Sequence, residues 1–333
     1  MPTALIQGRI ATDHTDRLRK VLDSSWRILE WDPRKHLVDA FEPLAVEADV
    51  VIGGKIPLAH WPAVPKLKLF QIPWTGYDFC TPADMPIGVP VCNCFEHESS
   101  IAEYVMAAML EWQIGLRSMD SRFRAKGWDG KGPGEAFFHG EVLGRTVGIV
   151  GYGHIGAEVA KRANAFGMRV IGVRRRQQPT PALLDWLGTT DRLDELLAES
   201  DFVVIACDLN DATRGMIDEG RFTKMKPTGV LINVSRGAVV NEGDLFQALE
   251  QKRIGGAIID VWYNYIKSDE PEIWPANFPF EKLDNTILSA HECGWTVEQV
   301  ARRWSFVAGN LKRAIKGETL ENVVFEGIQQ TLD

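Results

Sequence analysis

A short apolar run, Val147 to Val150, leads directly into Gly151-Tyr152-Gly153-His154-Ile155-Gly156, and Ile155, Val159, Ala160 and Ala163 follow at helical spacing. A strand, a glycine turn and a helix in this order constrain the fold strongly. Gly151 lets the chain turn tightly, Gly153 lets a pyrophosphate reach bare backbone, and Gly156 lets helix and sheet pack closely. The helix then directs its free amides and positive dipole end at the phosphates. The run predicts a dinucleotide site at the edge of a parallel α/β sheet. A glycine turn without a ligand is the alternative.

Gly167 suits the end of that helix, and Met168 to Val173 reads as the next strand. An NAD site usually places an acid at the end of this strand to bond the ribose hydroxyls. Here the chain has Arg174, Arg175 and Arg176 instead. A guanidinium cannot accept from ribose, but it can clamp a 2′-phosphate bidentately. The substitution favours NADP over NAD as cofactor. A solvated basic turn with no bearing on the cofactor is the other reading.

Composition narrows the class by exclusion. Thirty-seven basic against 45 acidic residues give a net charge of −8, which argues against nucleic acid or anionic membrane as partner. No apolar run approaches the roughly 18 residues a span needs, and the N-terminal residues show no secretory leader. Five cysteines at positions 80, 92, 94, 207 and 293 are an odd number without a disulfide framework, so a reducing cytoplasm is expected. Cys92 and Cys94 are too close for the usual zinc pair, even with His97 nearby, and read as buried thiols at a strand end. No metal is expected.

The glycine run begins near residue 150, so something folded precedes it. Ala4 to Ile6, Val50 to Ile52, Leu67 to Ile72 and Val89 to Val91 read as short buried strands, and Thr15 to Leu22 as a helix. Ser100 and Glu103 have capping-box spacing and open a helix through about Leu116. Residues 126–140, rich in glycine and aromatics, read as a long ordered loop. After Arg176 the strand and helix rhythm continues to Leu288, and Thr296 to Lys316 forms a long amphipathic helix that returns to the first domain. The expected fold is α/β with two Rossmann-like domains. A dinucleotide-binding domain, 116–296, is inserted into a flavodoxin-like substrate domain, 1–115 and 297–333.

Three polar features follow buried strands at the edge where open parallel sheets bind ligands. Arg236 leaves an apolar strand beside Gly237 and suits a carboxylate and a carbonyl. Asp260 ends the strand Gly256 to Ile259, either as an acceptor for a nicotinamide amide or as an anchor for its loop. His291 follows Ile287 and Leu288 and suits proton transfer near neutrality.

These features resemble the D-2-hydroxyacid dehydrogenase family along nearly the whole chain. Thr75-Gly76-Tyr77-Asp78 is similar to its substrate loop, Val142 to Gly148 to the lead-in of its nucleotide fold, Phe222 to Val240 to its longest signature, and His291-x-x-Gly294-x-Thr296 to its catalytic-histidine motif. The resemblance implies that Arg236 binds the carboxylate and polarises the ketone while His291 protonates the carbonyl oxygen. It implies that Asp260 holds the nicotinamide amide and that His154 and Ile155 offer amides to the pyrophosphate. Arg174 and Arg175 then stand in place of the ribose acid, and Cys207, Val234, Ser235 and Gly294 complete the cofactor surface. Backbone around Gly54, Thr75 and Gly76, with Tyr77, would meet the substrate across a cleft between the domains. A homodimer through the nucleotide domain is implied as well, with 103–128 near the interface.

One position departs from the family. Its glutamate partner for the histidine lies five residues past the strand-end aspartate, and here that register gives Tyr265. Either a longer loop brings Glu270 to His291, which makes Glu270 the candidate catalytic acid, or Tyr265 or another group stands there. Trp74, Tyr77, Trp262, Tyr263, Tyr265 and Trp295 flank the motifs, and most read as packing. The favoured function is NADP-dependent interconversion of a 2-oxo acid and a D-2-hydroxy acid. Oxidation of a small oxyanion such as formate or phosphite, and a non-catalytic nucleotide-sensing role, are the rivals.

Overall fold

Central strands buried on both faces are largely apolar, and Thr146–Val150, Phe202–Ile205, Val230–Asn233 and Gly256–Ile259 are buried at every position. The computed structural model describes residues 1–128, 130, 132, 138–266 and 272–331. The chain divides into two units, Met1–His97 with Thr296–Asp333, and Glu98–Trp295.

The first unit carries β1 (Thr3–Gln7), α1 (Arg9–Thr12), α2 (Thr15–Val21), β2 (Arg27–Trp31), α3 (Phe41–Glu47), β3 (Val50–Gly53), β4 (Leu69–Gln71) and β5 (Pro90–Cys92). The second carries α4 (Glu98–Ile114), α5 (Leu116–Lys126), β6 (Thr146–Val150), α6 (His154–Ala165), β7 (Arg169–Val173), β8 (Trp186–Gly188), α7 (Leu193–Glu199), β9 (Phe202–Ile205), α8 (Glu219–Phe222), β10 (Val230–Asn233), α9 (Glu242–Glu250), β11 (Gly256–Ile259) and β12 (Thr286–Leu288). The chain then returns to the first unit as α10 (Val297–Lys316) and β13 (Val323–Glu326).

The first sheet has the order β13-β5-β4-β3-β1-β2, with only β13 antiparallel. Its five parallel strands follow the flavodoxin-like arrangement. Alternation along the strands sends Leu5, Val51, Phe70 and Val91 to one face. Ala4, Ile6, Ile52 and Leu69 go to the other, where Val300, Trp304, Val307 and Leu311 of α10 cover them. The second sheet, β12-β11-β10-β9-β6-β7-β8, is parallel throughout, in the doubly wound order extended by one strand.

The helix expected from Ser100 starts at Glu98, so Ser100 and Glu103 lie within its first turns rather than at a cap, and Ser100 Oγ donates to Gly294 O at 3.4 Å. Placed by the sequence with the first domain, α4 packs with the second. Ile101, Val105 and Met109 join its core, and a Cβ on Gly256 would lie 2.0 Å from the Trp112 ring. The boundary therefore falls after His97 rather than at 115. The segment expected as an ordered loop begins as the last turn of α5, and its residues 129, 131 and 133–137 lie outside the described ones. All five cysteines are free thiols. Among the described residues no helix is long and apolar enough to cross a membrane, and no group of side chains could hold a metal ion.

Candidate active site

At the end of β6, Gly151 has φ +100, and a Cβ there would lie 2.5 Å from Cys207 N, so only glycine passes. The amides of Gly151 and Tyr152 both donate to Val173 O, at 2.9 and 3.1 Å, which ties the loop to β7. Gly156 lies against Ile149, where a Cβ would come within 2.9 Å, whereas a Cβ on Gly153 would meet nothing within 4 Å. Gly153 is also the N-cap of α6 and makes no side-chain capping bond. A tight turn, an open face and a bare helix N-terminus are what a pyrophosphate requires.

Arg174 follows β7, with its amide on Gly188 O at 3.0 Å and its guanidinium bonded to Gln178. Its Nε is buried without a partner among the described residues. Burial raises the Tyr152 hydroxyl above its ordinary range, and the charge of Arg174 opposes that rise, so the arginine stands beside the glycine loop. A half-buried guanidinium with an unused Nε–H fits a phosphate, and it stands at the strand end where a ribose-binding acid would be expected. Arg175 and Arg176 are exposed. Burial pushes the Cys207 thiol up to about 12, and its backbone closes on Gly151 at the turn.

The ends of β10, β11 and β12 are level, since Asn233 pairs with Ile259 and Ile259 with Leu288. Arg236, Asp260 and His291 therefore emerge at one edge. Asn233, 2% exposed, organises the first turn: its Nδ2 donates to Arg236 O at 3.0 Å, and its Oδ1 accepts from Ser235 N at 3.2 Å. Val234 is buried beside it. A Cβ on Gly237 would lie 2.4 Å from Trp262 O, so the arginine turn sits on the β11 loop. Arg236 Nη1 donates to Ser235 O at 2.8 Å.

Asp260 is fully buried. Its Oδ1 accepts from Ser289 Oγ at 2.6 Å, from Glu292 N at 2.9 Å and from Cys293 N at 3.3 Å, and its Oδ2 lies 3.3 Å from the same Cys293 N. The Tyr104 hydroxyl, pushed up to about 12 by burial, meets Ser289 Oγ at 2.7 Å. Both oxygens reach the histidine loop, so the geometry displays the anchoring role, and Oδ2 keeps room for a further donor such as a nicotinamide amide.

His291 sits on that loop in the left-handed region, with φ +59, a conformation histidine adopts more readily than most residues. Its Nδ1 lies 2.9 Å from Tyr265 Oη, and Trp262 N donates to the same oxygen at 3.2 Å. Trp262 is itself fixed by Nε1 donating to Ser289 O at 2.7 Å. Tyr265, the residue in the family's glutamate register, is thus one partner of Nδ1. Glu270 lies outside the described residues. Sequence reasoning missed Asn233, Ser289 and Tyr104 as supports. The one signal it offered was an asparagine ending an otherwise apolar strand.

The expected substrate residues gather at the C-terminal edge of the first sheet. Gly54 follows β3, and a Cβ on it would lie 2.9 Å from the Trp74 ring. Thr75 Oγ1 donates to Cys94 O at 2.9 Å, and exposed Tyr77 packs edge-on to Phe325 with centroids 6.1 Å apart.

A doubly wound sheet with a tight glycine turn at a helix N-terminus, and an arginine and a braced histidine on level strand ends, is the arrangement of a dinucleotide-binding α/β fold. Residues 106–293, more than half of the chain, match the NAD binding domain of the D-isomer specific 2-hydroxyacid dehydrogenases. Glyoxylate/hydroxypyruvate reductase B of Pectobacterium carotovorum subsp. carotovorum is 32% identical over 328 residues, 97% of this chain and 98% of that one. D-3-phosphoglycerate dehydrogenase of Methanocaldococcus jannaschii is 31% identical over 283 residues, 84% of this chain but 52% of its own, so the chain spans about half that relative's length. The solved 2-hydroxyacid dehydrogenase of Ketogulonicigenium vulgare Y25 shares the fold at a TM-score of 0.79 and 23% identity, over 98% of this chain and 99% of that one. The chain belongs to the D-isomer specific 2-hydroxyacid dehydrogenase family.

Proposed function

We propose that the protein reduces a small 2-oxo acid to the D-2-hydroxy acid with NADPH, glyoxylate and hydroxypyruvate being the substrates to test first. The observation that carries the reading is a histidine with Nδ1 engaged by Tyr265, on a strand end level with Arg236. The relative from Pectobacterium, alike over both full lengths, supports the substrate class. A dihydronicotinamide supplies the hydride when bound. Arg236 holds the substrate carboxylate and draws electron density from the ketone. His291 gives the Nε2 proton to the carbonyl oxygen, which becomes the hydroxyl, and regains a proton from solvent. Arg174, with the glycine turn and the start of α6, would hold the cofactor's phosphates.

Initial rates with glyoxylate, hydroxypyruvate, pyruvate, formate and phosphite, each with both cofactor pairs, test the reading. NADPH should bind about ten- to a hundred-fold tighter than NADH, the worth of one phosphate clamp. Arg174→Ala should abolish most of that difference. Equal affinities in the wild-type protein would refute the NADP assignment, and turnover confined to formate or phosphite would refute the substrate class. The proposal includes a homodimer. No residue of α5 is buried, and Leu116, Phe123 and Trp128 are 64%, 57% and 65% exposed, an apolar face that a second copy would cover. Sedimentation equilibrium at the mass of a single chain would rule it out.

A further inference from the structure

We propose that Gln7 and Asn93 are positioning residues that set the carboxylate selectivity of the first unit, an inference that rests on the 2-oxo acid reading above. Each pins a backbone carbonyl and so aims the amide of the next residue outward. The two inner strands β3 and β4 are flanked by β1 and β5. Gln7, the last residue of β1 and fully buried, donates from Nε2 to Gly54 O at 2.8 Å, just beyond β3. Asn93, the residue after β5 and 2% exposed, donates from Nδ2 to Thr75 O at 2.9 Å, just beyond β4. The same device thus operates from both sides.

No peptide bond among the described residues is cis, so each N–H opposes the carbonyl of its own peptide unit. The amides of Lys55 and Gly76 are therefore turned away from the pinned carbonyls, and no acceptor among the described residues takes either one. Gly53 makes the arrangement possible, because a Cβ there would lie 2.3 Å from Gln7 O and 2.7 Å from Gln7 Nε2. The Trp74 ring beside Gly54 links the two loops. Both amide side chains pair their NH2 and leave the oxygen, Gln7 Oε1 and Asn93 Oδ1, buried and unpartnered among the described residues. An apolar residue of the same shape would avoid that cost. Retaining it on both flanks fits a need for the two donors. Two outward amides at the ligand edge of a parallel sheet suit an anion with two oxygens.

Gln7→Met and Asn93→Leu remove the donors at nearly constant volume. In either variant the oxalate inhibition constant and the glyoxylate KM should rise about tenfold, while kcat and the NADPH dissociation constant change little. The kcat/KM for glyoxal, which carries an aldehyde in place of the carboxylate, should also hold. Equal losses on glyoxylate and glyoxal, or none on either, would overturn the proposal. Should the variants fail to fold, oxalate titrated into the 15N-labelled wild-type complex with NADP should shift the Lys55 and Gly76 amide resonances. Unmoved resonances in a protein that turns over glyoxylate would reject the cradle and spare the reaction. Shifted resonances in a protein that reduces no 2-oxo acid would do the reverse.

Discussion

Replacing Arg236 by alanine should lower kcat/KM for glyoxylate about a thousandfold and leave the NADPH dissociation constant within about twofold. The argument is one of charge and geometry. Arg236 leaves β10 at the ligand edge, its turn fixed by Asn233 beneath and by the Trp262 backbone alongside. A guanidinium there makes charge-assisted bonds to the carboxylate and to the oxygen that gains charge as hydride arrives, at roughly 1.5–3 kcal/mol each. Losing two such bonds gives about 10² to 10⁴ in kcat/KM. Arg236→Lys should recover little, since a point charge cannot serve both oxygens from one planar fork. Near-wild-type turnover by the alanine variant would show that substrate is not held at this strand end.

The parts of the molecule legible in sequence are those fixed by local demands. Gly151 must be glycine because of a turn that begins at the next residue, and the buried strands of a doubly wound sheet advertise themselves as unbroken apolar runs. Arg236 stood out because it follows such a run, and His291 because it follows the short apolar pair Ile287 and Leu288. Hidden elements had weaker local signatures. Arg27–Trp31 alternates imperfectly, Trp186–Gly188 has three residues, and Val323–Glu326 is an edge strand with both ends exposed. The side of the domain boundary on which α4 falls was hidden too, because it depends on Trp112 meeting Gly256, far apart in sequence.

The supports of the site were hidden for the same reason. Asp260 lay open between two roles, and its anchoring bonds come from Ser289, Glu292 and Cys293, three donors on another strand's loop. Gln7 and Asn93 are single polar residues at strand ends, with no pattern to distinguish them from solvent-facing ones. Tyr265 was visible only as a departure from an expected glutamate. Polar residues that hold a loop carry their meaning in the partner's position, which one sequence does not state.

Tyr265→Phe should lower kcat for reduction about ten- to thirtyfold without moving the pH at which activity declines. The hydroxyl at 2.9 Å from Nδ1 is fixed by Trp262 N, so it orients the ring, and as a neutral group it can donate to neutral histidine or accept from the imidazolium. Removing it costs orientation, at about one hydrogen bond to a group that becomes charged. A neutral partner adds no counter-charge, so its loss should shift the histidine little. A carboxylate partner would behave differently. It raises the histidine pKa, and reduction needs the protonated ring, so activity would persist to higher pH and would retreat toward acid once the charge was removed. In the oxidation direction the neutral ring is needed, and the acid limb would move the same way. Profiles of kcat from about pH 5 to 9 in both directions separate the two partners. A retreat of the alkaline limb by about one unit in Glu270→Gln would return the role to Glu270. Full activity in Tyr265→Phe would remove Tyr265 from the mechanism.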